Sequence, residues 1–453
     1  MRATAATRFV VPPELSAAQT PESRGLARDQ VRLLVARDRR PLRHRRFADL
    51  PEALEPGDLV VVNTSDTEPA AVDGFRSDGR PVVVHVSGPS TGGTFVVELR
   101  TPQGERVTDA ARGDTVRLPL GVTATLVVAH PDPEVGTGSR LWRARIPVEG
   151  GVPGWLSAAG RPIRYSYLRE HPAIADHRTL FAVPAGAPDD WFGSAEMPSA
   201  ARPFTRAVLD GLHARGVGVA EVVLHTGVSS PEADEVPLPE RYRVPAATAD
   251  AVNATRTAGR RVVAVGTTVT RALETVADVD GTVRAGEGWT DLVLDPDRPV
   301  RVVDGLVTGW HEPEASHLLL LEAVAGARLV GRAYAEAVRT GYLWHEFGDS
   351  CLLLPARRAA CSRGRLAASG PVAPIRGVQS LAWWSNLLGV RSIDVRHGAA
   401  RPGPAHSGWN RLGVHLPSWR TPASAPAHGC GLTAGSPTPR LLQGTAGSLV
   451  PTR

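Results

Sequence analysis

"VVAVGTTVTRALE", from Val262 to Glu274, sets the fold class. Four apolar, mostly β-branched residues stop at Gly266, and two threonines open a segment with helical periodicity. That is a buried strand turning over a glycine directly into a helix. A helix start leaves unpaired N–H groups and a partial positive charge, so Gly266, Thr267 and Thr268 suit a carboxylate, a phosphate or a ribose hydroxyl. Plain capping explains the same residues, because Thr is a common N-cap. The segment is neither a Walker A loop nor a G-x-G-x-x-G fingerprint. Its neighbours have to decide.

Working outward, strands and helices alternate from residue 200 onward: "PFTRAVLDGLHARG", "VAEVVLH", "TADAVNATRTAGR", "RVVAVG", "DLVLD", "ASHLLLLEAVAG" and "GRAYAEAVRTG". This alternation predicts a mostly parallel α/β domain. Residues 70 to 150 differ. "RPVVVHV", "GTFVVEL", "DTVRLP", "VTATLVVA" and "LWRARIPV" are short strands between Gly, Pro and Asp turns, which predicts a small all-β barrel. Before it, a short helix at Leu50–Leu54 stops at Pro56-Gly57, and a buried strand from Asp58 to Val62 ends at Asn63-Thr64. The expected organisation is a discontinuous α/β domain of residues 1–67 and 151–354, a β-barrel of residues 68–150 inserted into it, and a low-complexity basic tail, 355–453, that is disordered.

At 453 residues the chain is long enough for two or three domains, and 42% apolar with 21% charged residues is a globular composition. No window approaches the ~18 apolar residues of a membrane span. The start "MRATAATRFVVPPEL" lacks the apolar core of a secretory signal, so a cytoplasmic location and no membrane partner are expected. Cys351, Cys361 and Cys430 form no spaced set, which argues against a disulfide frame or a thiolate metal site. The net charge of +5 hides a division. Twelve of 51 basic residues and one of 46 acids, Asp394, lie in 355–453, leaving 39 basic against 45 acidic residues in the body. Every basic residue is arginine. Six of them crowd "ARDRRPLRHRR" at Ala36–Arg46, either a phosphate-binding strip or a solvated turn between strands. In the tail, "SLAWWSNLLGV" around Trp383 and Trp384 is the one candidate docking helix.

The segments surrounding the opening stretch resemble a known family. "HTGVSS" at His225–Ser230, "RYRVPAATADAVNATRTAGRRVVAVGTTVTRALE" at Arg241–Glu274, "GWTDLVLDP" at Gly288–Pro296, "VVDGLVTGWHEP" at Val302–Pro313 and "YLWHEFGDS" are similar to the S-adenosylmethionine:tRNA ribosyltransferase-isomerase family of queuosine biosynthesis. So are "RDQVRLLV" and "HRRFADLPEALEPGDLVVVNTS". The resemblance runs in order over about residues 8–354. It implies an α/β domain with an inserted β-barrel, S-adenosylmethionine as co-substrate and tRNA as the acceptor; a monomer that uses no metal is expected. It also implies the reaction. The ribosyl part of S-adenosylmethionine moves onto the aminomethyl group of 7-aminomethyl-7-deazaguanine in the anticodon, adenine and methionine leave, and the ribose rearranges to an epoxycyclopentane.

That chemistry needs a base for a proton made acidic by the sulfonium, donors for the departing adenine and a grip on the sugar hydroxyls. His225, ending a strand before Thr226-Gly227, suits a base at the carboxyl edge of a sheet, or is a satisfied core histidine. His311 in "GWHEPEASH" is the comparable candidate, in a loop before the helix that Pro313 opens. Asp304 and Asp349 would orient hydroxyls or serve turns. Arg271 would pair with the methionine carboxylate or with Glu274 at i, i+3. Asn63, Thr64, Thr179, Ser199, Thr205 and Asp291 complete the expected substrate contacts, and Gly266, Thr267 and Thr268 are expected in one cleft with His225, Asp304 and His311. "HEPEASH" is not a metal motif, since its histidines are six apart and Pro313 interrupts the run.

Four segments depart from the family pattern. "PSAARPFT" at Pro198–Thr205 stands where the family has "PTAGLHF", putting Arg202 and Pro203 in place of a leucine and a histidine. "TSDTEPA" carries Glu68 where a basic residue is usual, "DHRT" at Asp176–Thr179 replaces "RYQT", and "IRYSY" at Ile163–Tyr167 replaces "PLPPY". Arg202 and Arg178 are positioned in sequence to compensate for the lost cations. Two further readings stay open: a ribosyltransferase with a different acceptor, and a nucleotide- or RNA-binding relative without catalysis.

Overall fold

The computed structural model describes residues 4–132, 134, 138–183, 192–228, 237–313 and 315–357. The expectations for residues 358–453, the disordered tail and the helix at Trp383 and Trp384, lie outside them, as do Ser229 and Ser230.

Fifteen strands and six α-helices carry the described residues. In chain order they are β1 (Arg32–Arg37), β2 (Arg43–Arg46), β3 (Leu59–Asn63), β4 (Ala71–Arg76), β5 (Pro81–Ser90), β6 (Thr94–Arg100), β7 (Thr115–Arg117), β8 (Thr123–His130), β9 (Leu141–Arg145), α1 (Val152–Ala159), α2 (Arg206–Ala214), β10 (Gly218–Leu224), β11 (Glu240–Val244), α3 (Ala246–Thr257), β12 (Val262–Val265), α4 (Thr267–Thr275), β13 (Gly286–Thr290), β14 (Gly305–Thr308), α5 (Ser316–Ala325), α6 (Ala327–Arg339) and β15 (Ser350–Leu354). The expected helix at Leu50–Leu54 is instead a 3-10 segment over Phe47–Ala53, because Pro51 inside it removes an α-helical N–H bond.

Nine strands form one sheet in the order β13-β11-β10-β3-β12-β14-β15-β1-β2. Its four central strands, β10, β3, β12 and β14, run parallel. The β15–β1 pair is also parallel, whereas β13–β11, β11–β10, β14–β15 and β1–β2 are antiparallel. The sheet is therefore mixed rather than mostly parallel. The alternating pattern predicts the parallel centre; antiparallel pairing enters at the flanks, where β1 and β2 form a hairpin and α5 and α6 carry the chain from β14 back alongside it as β15.

The central strands are buried on both faces, which is why they read as unbroken apolar runs. Leu59 and Val61 of β3, with Val262 and Ala264 of β12, face α3 to α6 through Val252, Val269, Leu318 and Leu329. Val60, Val62, Val263 and Val265 face the opposite way, against Phe47, Phe204, Val208 and Leu212. The period of two sorts one strand's residues into two separate cores.

After β3 the chain leaves the sheet and closes a six-stranded antiparallel barrel, β4-β5-β6-β9-β8-β7. Val72, Val84, Val97, Leu99, Leu126 and Trp142 fill it, and Val152, Trp155 and Leu156 of α1 pack onto the same core. Reciprocal backbone bonds of 2.9 Å between Ala71 and Arg161 tie the outgoing and returning chain together. No helix among the described residues is long and apolar enough to cross a membrane.

Candidate active site

A cavity of ≈ 790 Å³ opens between the carboxyl ends of the central strands, the barrel, and the segments around residues 161–171 and 196–200. The loops that follow β10, β12 and β14 supply its floor: Thr226 to Val228, Gly266 to Thr268, and Thr308 to Glu312. Because parallel strands end at one edge, their loops converge there whatever their sequence separation.

At the floor, Gly266 is the N-cap of α4 with φ +89°, a conformation that favours glycine. No side chain caps this helix. The threonines are thus not consumed by capping, and the helix start faces the cavity with Thr267 and Thr268 in its wall. Arg271, one turn further, is buried. It pairs with Glu240, and its remaining N–H groups donate to the carbonyls of Leu292 (3.0 Å), Thr290 (3.1 Å) and Leu238 (3.2 Å). Its partner is Glu240 and not Glu274, which instead accepts the N–H groups of Arg301, Val302 and Val303.

His311 follows β14. Its Nε2 lies 3.0 Å from the Thr308 hydroxyl, and its ring stacks on His317 at 4.6 Å with the planes 2° apart. The backbone on both sides is pinned: His311 N–H donates to the Tyr334 hydroxyl (3.2 Å), and its carbonyl accepts from Trp344 Nε1 (3.1 Å). Burial, with His317 and His345 adding to it, pushes the His311 pKa well below the ordinary imidazole range. Burial, with Arg271 nearby, takes His317 to about 4, and burial alone takes His345 to about 4. All three rings are neutral at pH 7.

His345 stands in the left-handed region, φ 74°, unusual for a side chain of this kind. Its ring stacks on Tyr167 at 3.9 Å, Tyr167 stacks on Tyr165 at 5.7 Å, and the Tyr165 hydroxyl donates to Glu196. His345 Nε2 lies 3.3 Å from both Ser16 Oγ and Glu312 Oε1. Next to it, Glu346 lines the cavity with Oε2 buried and without a partner. Burial pushes its carboxyl up to about 7. Glu312 is pushed up as well, by burial.

Of the expected site residues, His311, Ser199, Gly266, Thr267, Thr268 and Arg271 share this cavity. The others sit elsewhere. His225 is at the same sheet edge, yet its Nδ1 lies 2.8 Å from Ser65 Oγ, which in turn accepts from Ser194 Oγ at 2.7 Å. Asp304 is at the wrong edge: it precedes β14, and its carboxylate accepts the Val262 N–H at the start of β12. Asn63 bridges strand ends through Leu224 O, Leu224 N and Ser65 N. Thr64 donates to Val222 O, and Thr179 accepts from Phe181 N. Thr205 caps α2 and donates to Asp29. Asp349 receives the N–H groups of Arg32 and Leu343, and Asp291 is exposed beyond β13, outside the cavity wall.

Arg202 and Arg178 do not compensate within the cavity. Arg202 is 2% exposed, bonded to Asp176 O and Glu22 and lying over the Phe347 ring, while Arg178 pairs with Asp66. Reading the sequence for site residues also missed Tyr165, Tyr167, His317, His345 and Glu346. "WHEF" lies inside the segment that carried the resemblance, but nothing in its spacing shows that His345 and Glu346 turn toward His311.

The profile of the queuosine biosynthesis protein family matches residues 4–353. The chain belongs to this family. It is 34% identical over 375 residues to the S-adenosylmethionine:tRNA ribosyltransferase-isomerase of Moorella thermoacetica, covering 76% of this chain and 98% of that protein. The enzyme of the same name from Anaeromyxobacter dehalogenans is 36% identical over 352 residues, covering 76% and 96%. A crystal structure of an S-adenosylmethionine tRNA ribosyltransferase from Thermotoga maritima is 28% identical, covering 76% of this chain and 99% of that one at a TM-score of 0.41. As a queuosine biosynthesis family member, the chain keeps its matched region and its cavity within the same residues.

Proposed function

We propose that this protein transfers and isomerises the ribosyl moiety of S-adenosylmethionine onto 7-aminomethyl-7-deazaguanine in tRNA, releasing adenine and methionine. The observation that carries this reading is the family match over residues 4–353, with relatives of that activity covered almost end to end. S-adenosylmethionine is the co-substrate, and the acceptor places the work in the cytoplasm.

The cavity residues supply the groups such a reaction requires. Its volume is in the range that buries a nucleoside-sized ligand. His311, neutral and held by Thr308 and the His317 stack, is the base for the proton next to the sulfonium. Glu346, protonated in part at neutral pH, donates a proton to the departing adenine. The helix start at Gly266, Thr267 and Thr268 binds sugar hydroxyls or the methionine carboxylate, with Ser199 also in the cavity lining. Arg271, already paired with Glu240, shapes the floor and contributes positive charge next to His317.

The test is release of adenine from S-adenosylmethionine by purified protein, with tRNA carrying the deazaguanine base, with unmodified tRNA, and with none. Release only in the first case supports the assignment. Equal release in all three assigns a different acceptor, and binding without release assigns a non-catalytic relative.

A further inference from the structure

From Arg39 to Arg46 the chain reads "RRPLRHRR", five arginines and no acid in eight residues. Its second half is β2, the outermost strand of the sheet. The period of two puts Arg43 and Arg45 on the face of Val35 and Leu33, and His44 and Arg46 on the face that carries α6, so the charge follows the rim of the sheet. Arg332 of α6 joins it, its Nη2 donating to the Arg40 carbonyl at 3.0 Å. Among the described residues the guanidiniums of Arg40, Arg43, Arg45, Arg46 and Arg332 meet no carboxylate. Arg45 and Arg46 donate to the carbonyls of His44 (3.4 Å) and Gln30 (2.7 Å). Of the carboxylates beside them, Asp38 and Glu336 are met by Arg328 and Arg339 of α6, and Asp49 accepts the Arg46 backbone N–H.

The turn before β2 runs against ordinary preference. Arg39 has φ 54°, a region that favours glycine or asparagine, yet an arginine stands there with its side chain 86% exposed. Its one carboxylate contact is Asp38 at 3.5 Å, which Arg328 also meets. Behind the turn, Leu42 packs on the main core, and the Asp38 N–H donates to the Leu354 carbonyl at 3.0 Å. The rim also has a fixed relation to the cavity. Thr308 of β14, whose hydroxyl meets His311, pairs with Cys351 of β15, Cys351 with Leu34 of β1, and Leu34 with His44 of β2. One register row thus runs from the cavity to the rim across three strand spacings, ~14 Å.

We propose that the rim arginines Arg39, Arg40, Arg43, Arg45 and Arg46 bind phosphodiester oxygens of the acceptor RNA, beside the nucleotide that enters the cavity. The acceptor is that of the proposed tRNA reaction, on which this assignment rests. Phosphates repeat every ~3.4 Å along one strand of a duplex, so the row from cavity to rim spans about four nucleotides. Guanidiniums stay charged and fork onto phosphate. No exposed large apolar side chain among the described residues lies between Arg39 and Arg46, so the rim lacks the anchor that a protein partner or membrane insertion requires. Charge on an edge strand also guards it against pairing with another chain. That role has no use for an arginine in a left-handed turn outside the strand.

The experiment uses the full chain and an anticodon stem-loop RNA carrying the deazaguanine base. It reads KM for the RNA in the adenine-release assay, which counts productive complexes alone, and direct binding by fluorescence anisotropy. With Arg40, Arg43 and Arg45 all replaced by glutamine, KM for the RNA should rise about ten- to hundredfold, and the slope of log affinity against log salt should become shallower by about 2 to 3. KM for S-adenosylmethionine and kcat at saturating RNA should hold. The triple lysine variant keeps the charge, so it should keep the slope and stay within about threefold of wild type. Arg39→Gly relieves the turn, so its melting midpoint should hold or rise while KM for the RNA rises about two- to fivefold. This variant carries the test if the triple glutamine variant melts early. RNA binding unchanged in the glutamine and glycine variants would reduce the rim to edge protection and overturn the proposal. Rim-dependent binding to phosphatidylserine vesicles with RNA binding unaltered would assign a membrane surface and overturn it equally. A wild-type protein that binds the stem-loop through these arginines but releases no adenine would refute the reaction while leaving the rim contact standing; one that fails to bind the RNA refutes both.

Discussion

His225 and His311 both follow strands that end at the same edge of the sheet, and they have different fates. His311 enters the cavity, stacked on His317 and bonded to Thr308. His225 turns toward Ser65, Ser194 and Asn63, in a polar network that joins the ends of β3 and β10 to the segment leaving for the barrel. A strand end fixes how far along the sheet a residue sits, but not which side its ring takes. What decides here is the loop. The barrel insertion after β3 brings Ser65 and Ser194 against His225, whereas the loop after β14 is pinned by Tyr334 and Trp344 with its ring toward the open space.

The largest effect that could break this contrast comes from exchanging the roles. His311→Gln keeps a hydrogen bond to Thr308 and removes the base, so adenine release should fall by about 10²- to 10⁴-fold, with S-adenosylmethionine still bound. His225→Gln should leave the rate near wild type and cost about 1 kcal/mol of stability through the Ser65 contact. Single-turnover assays and urea unfolding of both variants decide it. A larger rate loss in the His225 variant would invert the comparison.

Glu346 sharpens the cavity side. Burial raises its folded-state pKa from the ordinary 4.5 to about 7, so the active, protonated acid is lost as pH rises through about 7. The rate should decline above that pH. Glu346→Gln, which cannot donate as an acid, should be slower by about 10²-fold and flat there. The same shift acts on stability. Between pH 4.5 and about 7 the folded state binds more protons than the unfolded one, so this carboxyl's contribution is full below 4.5 and is lost as pH rises. The glutamine variant should lack that decline. His317 and His345, lowered to about 4, act oppositely: their contribution is complete above 6.5 and is lost as pH falls toward 4. A pH–rate profile and melting curves from pH 4 to 8 measure both.

On the network side, Asn63→Ala removes two hydrogen bonds that join β3 to β10 and a third that holds the Ser65 N–H. Leu224 and Ser65 are left with buried unpaired backbone groups, at a cost of about 2–3 kcal/mol. Chemical denaturation should show that loss, while affinity for S-adenosylmethionine in the folded fraction stays unchanged. Reduced affinity without reduced stability would move Asn63 into the binding site.

Sequence pattern exposed the architecture better than the site, and the reasons are physical. Strand period and turn residues are local, so "LVVVN", "VVAVG" and the short strands of the barrel declare themselves. Side-chain direction at a loop is set by whatever packs on it from elsewhere in the chain. Arg271 reads from the sequence as a partner of the methionine carboxylate or of Glu274, yet Glu240, 31 residues away, claims it. Asp304 looked like a strand-end residue, but strand β14 starts after it and its carboxylate serves the amino edge. Arg202 replaces a leucine of the family pattern and is accepted because Glu22 and the Phe347 ring complete a buried slot for it. His345 and Glu346 escaped notice for the converse reason. Only the tertiary stack with Tyr167 turns that segment toward the cavity.

The smallest predicted effect returns to the glycine-to-helix turn. Thr268 reaches the cavity wall and caps nothing, since α4 has Gly266 at its N-cap with no side-chain bond. A capping threonine would lose about 0.5–2 kcal/mol of stability on replacement by valine, with ligand affinity unaffected. A ligand-facing threonine should do the reverse. Thr268→Val keeps the shape and removes one hydroxyl, so the unfolding midpoint should hold while S-adenosylmethionine affinity weakens by about 1–2 kcal/mol, roughly five- to thirtyfold. Calorimetric titration of the variant beside its urea midpoint separates the two. If the midpoint drops and the affinity holds, the helix start is merely a helix start, and the sugar or carboxylate must be gripped by other groups of the cavity lining, Ser199 among them.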